Sequence, residues 1–371
     1  MSKRIIACMA MAVAMAAAVA ADDELAFGVE GVRVFSGFIP SGGDVSLTYT
    51  GFRLYEPGIT KLYLEVGGGY EDMSIVRDLE TGDPFVADVA GYEYRSPNFQ
   101  WELAFIQGLA RRDDGKNLVE AFAYYRGRYD DYLTEADGLS DAVFADIGGL
   151  FGSSVMGGLS FDSVSTSGHK QKDGLYAEAS AEWGPGFLNA LTDFWRVSAQ
   201  ARYFVPLYDM DSDGGNLLNL YAGLFAGVDY ADGDSVPIYV NQSFGGRNLR
   251  GSLGDCVRGY GWNKYDSSLK AAGSAELRLV GPAIVIDDIV PVLFGFVDAG
   301  YYRGFGESTT MADADGLLAS AGGGLAIDVF GFAQLSFIAG ARLVDDDIGY
   351  RYAGFLGAAD AFYGIKFFLH F

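Results

Sequence analysis

Apolar and polar residues alternate with a period of two along most of the chain. In the segment GLYAEASAEWG, Leu175, Ala177, Ala179, Ala181 and Trp183 share one face, while Glu178, Ser180 and Glu182 share the other. Val197, Ala199, Ala201, Tyr203 and Val205 stand opposite Arg196, Ser198, Gln200 and Arg202. Leu269, Ala271, Ala275, Leu277 and Leu279 stand opposite Lys270, Ser274, Glu276 and Arg278. A period of two is the mark of strands. Each run is about ten residues, the length a tilted strand needs to cross a bilayer. A soluble sandwich also alternates, but its strands are typically about five or six residues and its outward faces are polar. Here the polar face carries charges of both signs, which suits a wet interior, and the other face mixes Ala, Leu, Val and aromatics, which suits lipid.

The pattern predicts strands at 26–36, 44–55, 60–70, 84–95, 99–111, 117–128, 150–163, 172–184, 194–207, 216–230, 268–280, 291–302, 317–329, 331–344 and 360–371. A bacterial barrel with both ends in the periplasm needs an even number. A sixteenth strand is therefore expected within 129–149, where Val143 to Ile147 is the apolar patch. The fold expected is all-β: a transmembrane antiparallel β-barrel of 16 strands, with 14 as the alternative.

The chain opens with Lys3 and Arg4, an apolar run from Ile5 to Ala21, and then Asp22, Asp23 and Glu24. This reads as a secretory leader over 1–21, cleaved after Ala20 or Ala21, ahead of a barrel over 22–371. Beyond the leader no uncharged apolar run is long enough for a transmembrane helix. Yet half the residues are hydrophobic, with 52 Gly, 23 Tyr and 27 Phe, and a β-barrel accommodates that composition. A net charge of −23 argues against nucleic acid as a partner, because phosphate binding needs a basic surface. Cys256 is the one cysteine outside the leader, so no intramolecular disulfide forms. At the other end, Tyr363, Ile365, Phe367, Leu369 and the terminal Phe371 share one face. This end resembles the assembly signal of bacterial outer-membrane proteins. The resemblance implies outer-membrane lipid and lipopolysaccharide as surroundings, and the barrel-assembly machinery as a partner during biogenesis.

Counting back from Phe371, the connections at 345–359, 303–316 and 231–267 fall outside the cell and are the long ones. The longest contains FGGRNLRGSLGDCVRGYGWNKYD, Phe244 to Asp266, which sets four cations among six glycines in an acidic chain. Gly245-Gly246, then Val257-Arg258-Gly259-Tyr260, Ala275-Glu276-Leu277-Arg278 and Phe296-Val297-Asp298-Ala299-Gly300 follow in order. This succession resembles the C-terminal barrel of the bacterial surface antigen family, the superfamily of BamA, TamA and the two-partner secretion transporters. The resemblance implies that the long loop folds back into the barrel. Arg258, Gly259 and Tyr260 would form its tip, and Glu276 and Asp298 the barrel-wall partners. The residues themselves point to the same pairing, since a guanidinium in a site of reduced dielectric calls for a fork of carboxylates. Arg250-Gly251 is a second candidate tip, though Ser252 stands where the motif has an aromatic. Asp298 shares its face with Phe294 and Phe296.

Other chemistry is thin. Asp209, Asp211 and Asp213 open like a calcium loop, but its twelfth position is Leu220, so the segment reads as a solvated turn. His169 and His370 lie too far apart in the topology to form a pair, and no nucleophile motif appears. No enzyme activity, metal or cofactor is expected. Only a few residues separate the leader from the first expected strand at 26–36, so the chain resembles a barrel-only member of the family. The family resemblance implies insertion or translocation of protein or lipid, with a polypeptide substrate or a separate periplasmic partner. The alternative is a barrel-only pore or structural surface protein. An adhesin reading rests on acidic outer loops such as Asp345-Asp346-Asp347.

Overall fold

Along the sheet, strand follows strand in sequence order and each pairs antiparallel with its neighbour. The computed structural model describes residues 25–35, 39–50, 54–74, 93–134, 149–166, 171–189, 191–210, 218–247, 251–261, 265–284, 289–304, 315–329, 333–344 and 361–369. The strands are β1 (Leu25–Phe35), β2 (Ile39–Tyr49), β3 (Thr60–Ser74), β4 (Glu93–Arg111), β5 (Asn117–Asp131), β6 (Leu133–Thr134), β7 (Gly149–Asp162), β8 (Ser165–Thr166), β9 (Lys172–Gly184), β10 (Asp193–Met210), β11 (Leu218–Ser235), β12 (Leu269–Val280), β13 (Ile289–Arg303), β14 (Asp315–Val329), β15 (Ala333–Arg342) and β16 (Ala361–Leu369). Fourteen of them form one continuous meander. The two-residue β6 and β8 sit beside it, on β4 and β9. β1 and β16 approach one another, but no ladder joins them among the described residues.

Two expected strands are corrected. Of the strand expected at 84–95, residues 93–95 belong to the same strand as 99–111, because β4 runs unbroken from Glu93 to Arg111 and pairs directly with β3. Pro97, which reads in sequence as a break, falls where it is tolerated. The β5 ladder stops at Asn98 and β6 pairs only Tyr94 and Arg95, so no partner on that side needs the missing N–H. Residues 84–92 lie outside the described residues. No strand from 129–149 enters the meander either, because β5 extends to Asp131 and pairs directly with β7. Residues 135–148 lie outside the described residues. Among the described residues the meander therefore has fourteen strands.

The two faces differ as the alternation requires. On β13, Leu293 and Val297 are more than half exposed, while Phe294, Phe296 and Asp298 are buried. Tyr363 and Ile365 on β16, at 59% and 66%, and Leu277 on β12 continue the outward apolar band. An exposed band of this extent is a lipid-facing surface. No helix among the described residues is long and apolar enough to cross a membrane.

The inner face carries aromatic rings that lie flat against glycines of the next strand. A Cβ on Gly322 would meet the Phe296 ring, one on Gly324 the Phe294 ring, and one on Gly340 the Phe362 ring. These rings join Tyr221, Val280, Val290 and Val292 in an apolar cluster lining the inner side of the wall.

Candidate functional site

The described residues between β11 and β12, 236–247, 251–261 and 265–268, turn inward and pack on the inner face. Two short helical turns, α1 (Ile238–Gln242) and α2 (Leu253–Cys256), shape them. At α2 the backbone N–H of Ser252 donates to Asp255 Oδ2 at 2.9 Å, closing a capping box. Phe244, Leu253, Cys256, Val257, Tyr260 and Tyr265 then bury themselves against Phe225, Ala272, Tyr302 and Leu318 of the wall. The loop therefore has an apolar core of its own, which a solvated surface loop would lack. Among the described residues it has no disulfide, and Cys256 is buried in that core.

Arg258 lies between Glu276 of β12 and Asp298 of β13. Its Nε and Nη2 donate to Asp298 Oδ2 and Oδ1, both at 2.6 Å, and its Nη1 donates to Glu276 Oε1 at 2.6 Å. Ser274 Oγ receives Nη2 at 3.1 Å and donates to Asp298 Oδ1 at 2.7 Å. The guanidinium carbon stands 3.6 Å from the centre of the Phe296 ring. That contact accounts for the aromatic face around Asp298: the ring is a stacking platform for a planar cation. Burial disfavours the charged guanidinium, but its bonds to Asp298 and the charge of Glu276 outweigh this, and its pKa stays above the usual arginine value.

Gly259 and Tyr260 extend the contact to the last strands. Gly259 has φ of 95° and presses on the Phe362 ring of β16 so closely that a Cβ would collide with it. The Tyr260 hydroxyl donates toward the Ala319 and Val344 carbonyls, each at 2.8 Å, and accepts the Ala319 N–H at 3.1 Å. Three consecutive residues thus touch β12, β13, β14 and β16.

Sequence reasoning missed a second anchor, Arg247. It reaches the opposite wall, where it pairs with Glu120 of β5, approaches Glu178 Oε2 of β9 at 3.8 Å and donates to Ser160 Oγ of β7 at 3.1 Å. Its backbone N–H donates to Glu178 Oε1 at 2.5 Å, and its guanidinium lies 5.1 Å from the Phe122 ring. The one sequence signal nearby is Gly245-Gly246: Gly246 has φ of 102° and packs against Glu178. A third contact holds the stem between them. Asp229 of β11 accepts from Arg196 Nε at 2.8 Å, Ser198 Oγ at 2.6 Å and the Gly245 N–H at 2.8 Å. Lys270 Nζ stands 3.1 Å from Asp229 Oδ2 and donates to the Asn241 and Ser267 carbonyls. Together these anchors strap the loop from one side of the interior to the other.

Other expected site residues are placed only in part. Tyr363 and Ile365 face outward; of Phe367 and Leu369 the backbone pairing with Leu335 and Ala333 is described. Phe371, Arg250, Asp211, Asp213, His169 and His370 lie outside the described residues. No group of three potential metal-ligating side chains occurs among the described residues.

An antiparallel sheet with a lipid-facing outer band and a long loop strapped across its inner face belongs to the class of outer-membrane barrel proteins. Residues 171–351, from the start of β9 through the strapped loop to beyond β15, match the Omp85 superfamily domain. The likeness extends to solved structures. BamA from Haemophilus ducreyi lacking POTRA domains 1–3 superposes with a TM-score of 0.54 at 13% identity, over 94% of this chain and 70% of that one. CdiB from Escherichia coli gives 0.50 at 14% identity, over 89% of this chain and 53% of that one. The chain thus spans about half the length of CdiB, and both likenesses are of fold. No curated protein matches the chain in sequence. The match to the Omp85 superfamily domain places the protein in the outer membrane.

Proposed function

We propose that the protein acts in the insertion or translocation of polypeptide at the outer membrane, as a closed barrel whose lumen is held shut by the strapped loop. The observation that carries this reading is the pair of arginine anchors on opposite walls. Arg258 binds β12 and β13, Arg247 binds β5 and β9, and the loop between them lies across the interior. A passive pore gains nothing from a strap across its channel, whereas a translocator needs a closed state that a substrate can displace. Interactions of this kind are strong enough to hold and still reversible, since no covalent link is involved. The barrel-wall partners Glu276 and Asp298 and the Arg258-Gly259-Tyr260 tip serve this lock. Tyr363, Ile365, Phe367, Leu369 and Phe371 serve as the assembly signal read by the barrel-assembly machinery.

The test is reconstitution. Purified protein in vesicles of outer-membrane lipid is offered a urea-unfolded outer-membrane barrel substrate, and insertion is followed by heat-modifiability on gels. Faster insertion than in empty vesicles supports the proposal. An unchanged rate together with steady ion conductance would transfer the protein to the alternative reading of a pore or structural barrel.

A further inference from the structure

The end of the interior away from the loop's entry carries three cations that the strapped loop does not use. Arg278 of β12, Tyr221 of β11 and Pro206 of β10 stand side by side in the ladder. Lys172 precedes by two residues Gly174, the partner of Phe204 on β10, which sets Lys172 level with Pro206. Arg202 sits one inward position from Phe204 toward the loop. The rings of Phe204, Tyr221 and Phe294 form the floor beneath: Lys172 Nζ lies 5.2 Å from the Phe204 ring, and Arg278 lies 5.8 Å from the Phe294 ring. Lys172 is within electrostatic reach of both Arg202 and Arg278.

Among the described residues carboxylates do not balance this group. Glu276 acts on Lys172, but it is already taken by Arg258 and by Arg278, whose Nε donates to it at 2.7 Å. Among the described residues neither Lys172 nor Arg202 has a carboxylate at salt-bridge distance. Arg202 reaches only Gln200 Oε1, at 3.4 Å, and stacks over Tyr176, and its buried Nε has no hydrogen-bond partner. Burying an unpaired cationic donor is costly, and a charge retained inside a membrane protein usually marks a functional path. In a chain of net charge −23, two uncompensated cations beside a third are not a general surface property. The side chain of Arg278 is 35% exposed, so the group is open to solvent from this end.

We propose that Lys172, Arg202 and Arg278 form a site for an oxyanion, a phosphate or carboxylate group entering from the end opposite the loop. The Arg202 fork and the Lys172 ammonium supply the charge, and Arg278, held by Glu276, orients the third side. The ring floor suits an anion carried on an apolar or planar body. This rests on the reading of the inner face as a wet interior and goes beyond the strapped loop.

The test uses the full chain in detergent, titrated with inorganic pyrophosphate by calorimetry against sodium chloride of equal ionic strength. A parallel titration with short-chain phosphatidic acid distinguishes a free oxyanion from a lipid-borne one. The expected result is saturable binding of at least one probe, weakened tenfold or more in Arg202→Gln and in Lys172→Gln, and retained in Lys172→Arg. Heat-modifiability on gels shows that each variant is folded, and the insertion assay reports on the proposed function separately. Equal binding by wild type and both Gln variants, or no saturable binding of either probe by folded protein, would overturn the proposal.

Discussion

Replacing Arg258 with alanine removes the best-defined contact of the loop, and its size follows from the geometry. The substitution deletes a two-bond fork to Asp298, one bond to Glu276, one to Ser274 and the stack on Phe296. Asp298 is fully buried and would keep only Ser274 Oγ and the residue-258 backbone N–H as donors. Glu276 would fare better, because Arg278 still holds it. Removing one partner of a buried pair costs about 3–5 kcal/mol, and the retained Arg278 points to the lower part of that range. At about 1.4 kcal/mol per tenfold, the docked state of the loop loses roughly a hundredfold or more in population. Arg258→Lys keeps the charge but not the fork and should fall between the two. The assay is limited proteolysis of whole cells and of purified protein, with cleavage within 244–266 as the readout and the heat-modification temperature as a second. The alanine variant should be cut rapidly and should lose its compact gel form at a lower temperature. A loop as protected in Arg258→Ala as in wild type would refute the reasoning, because a docked arginine cannot be removed without effect from a buried carboxylate.

Arg247→Ala should release the opposite end of the strap, increasing cleavage near Gly245 while leaving 256–260 protected; uniform protection would show that Glu120 and Glu178 do not hold it. Gly259→Val should undock the tip even with Arg258 intact, because φ of 95° and the Phe362 ring both oppose a Cβ. The measurement is the same cleavage pattern, and a wild-type pattern would contradict the close packing. Tyr260→Phe, which loses the hydroxyl bonds to Ala319 and Val344, should lower the heat-modification temperature modestly, consistent with about 1 kcal/mol for a hydrogen bond. Deleting Phe371 should lower the amount of folded protein in the outer membrane without lowering its synthesis, and normal levels would remove this end as an assembly signal.

The alternation of β9, β10 and β12 was legible because one residue in two meets lipid and the next meets a wet, charged interior. That contrast writes a period into the sequence directly. β4 was not legible, because Ser96-Pro97-Asn98 has turn composition and only the pairing around it shows why proline is harmless there. Arg258 was visible through the aromatic that follows and the carboxylates on the next two strands. Arg247 was not, because Glu120, Ser160 and Glu178 precede it by long stretches of chain and no local residue announces them. Its partners are set by which strands face each other across the inner side of the sheet, a property of its curvature and not of spacing.

The flat rings of Phe294, Phe296 and Phe362 have a consequence for how much room the interior offers. An aromatic side chain standing upright would project well into that space. Laid over Gly322, Gly324 and Gly340, each ring instead lies close to the wall, and the glycines act as recesses that receive it. The wall is therefore smooth on the side where the Arg258 tip passes, and the clearance for the strap is set by the glycines beneath the rings. Adding a methyl group at one of these glycines would narrow the interior from the wall side by tilting a ring into the path of the loop. The abundance of glycine and the abundance of aromatics are, on these strands, one feature: each ring has its recess, and together they set the bore.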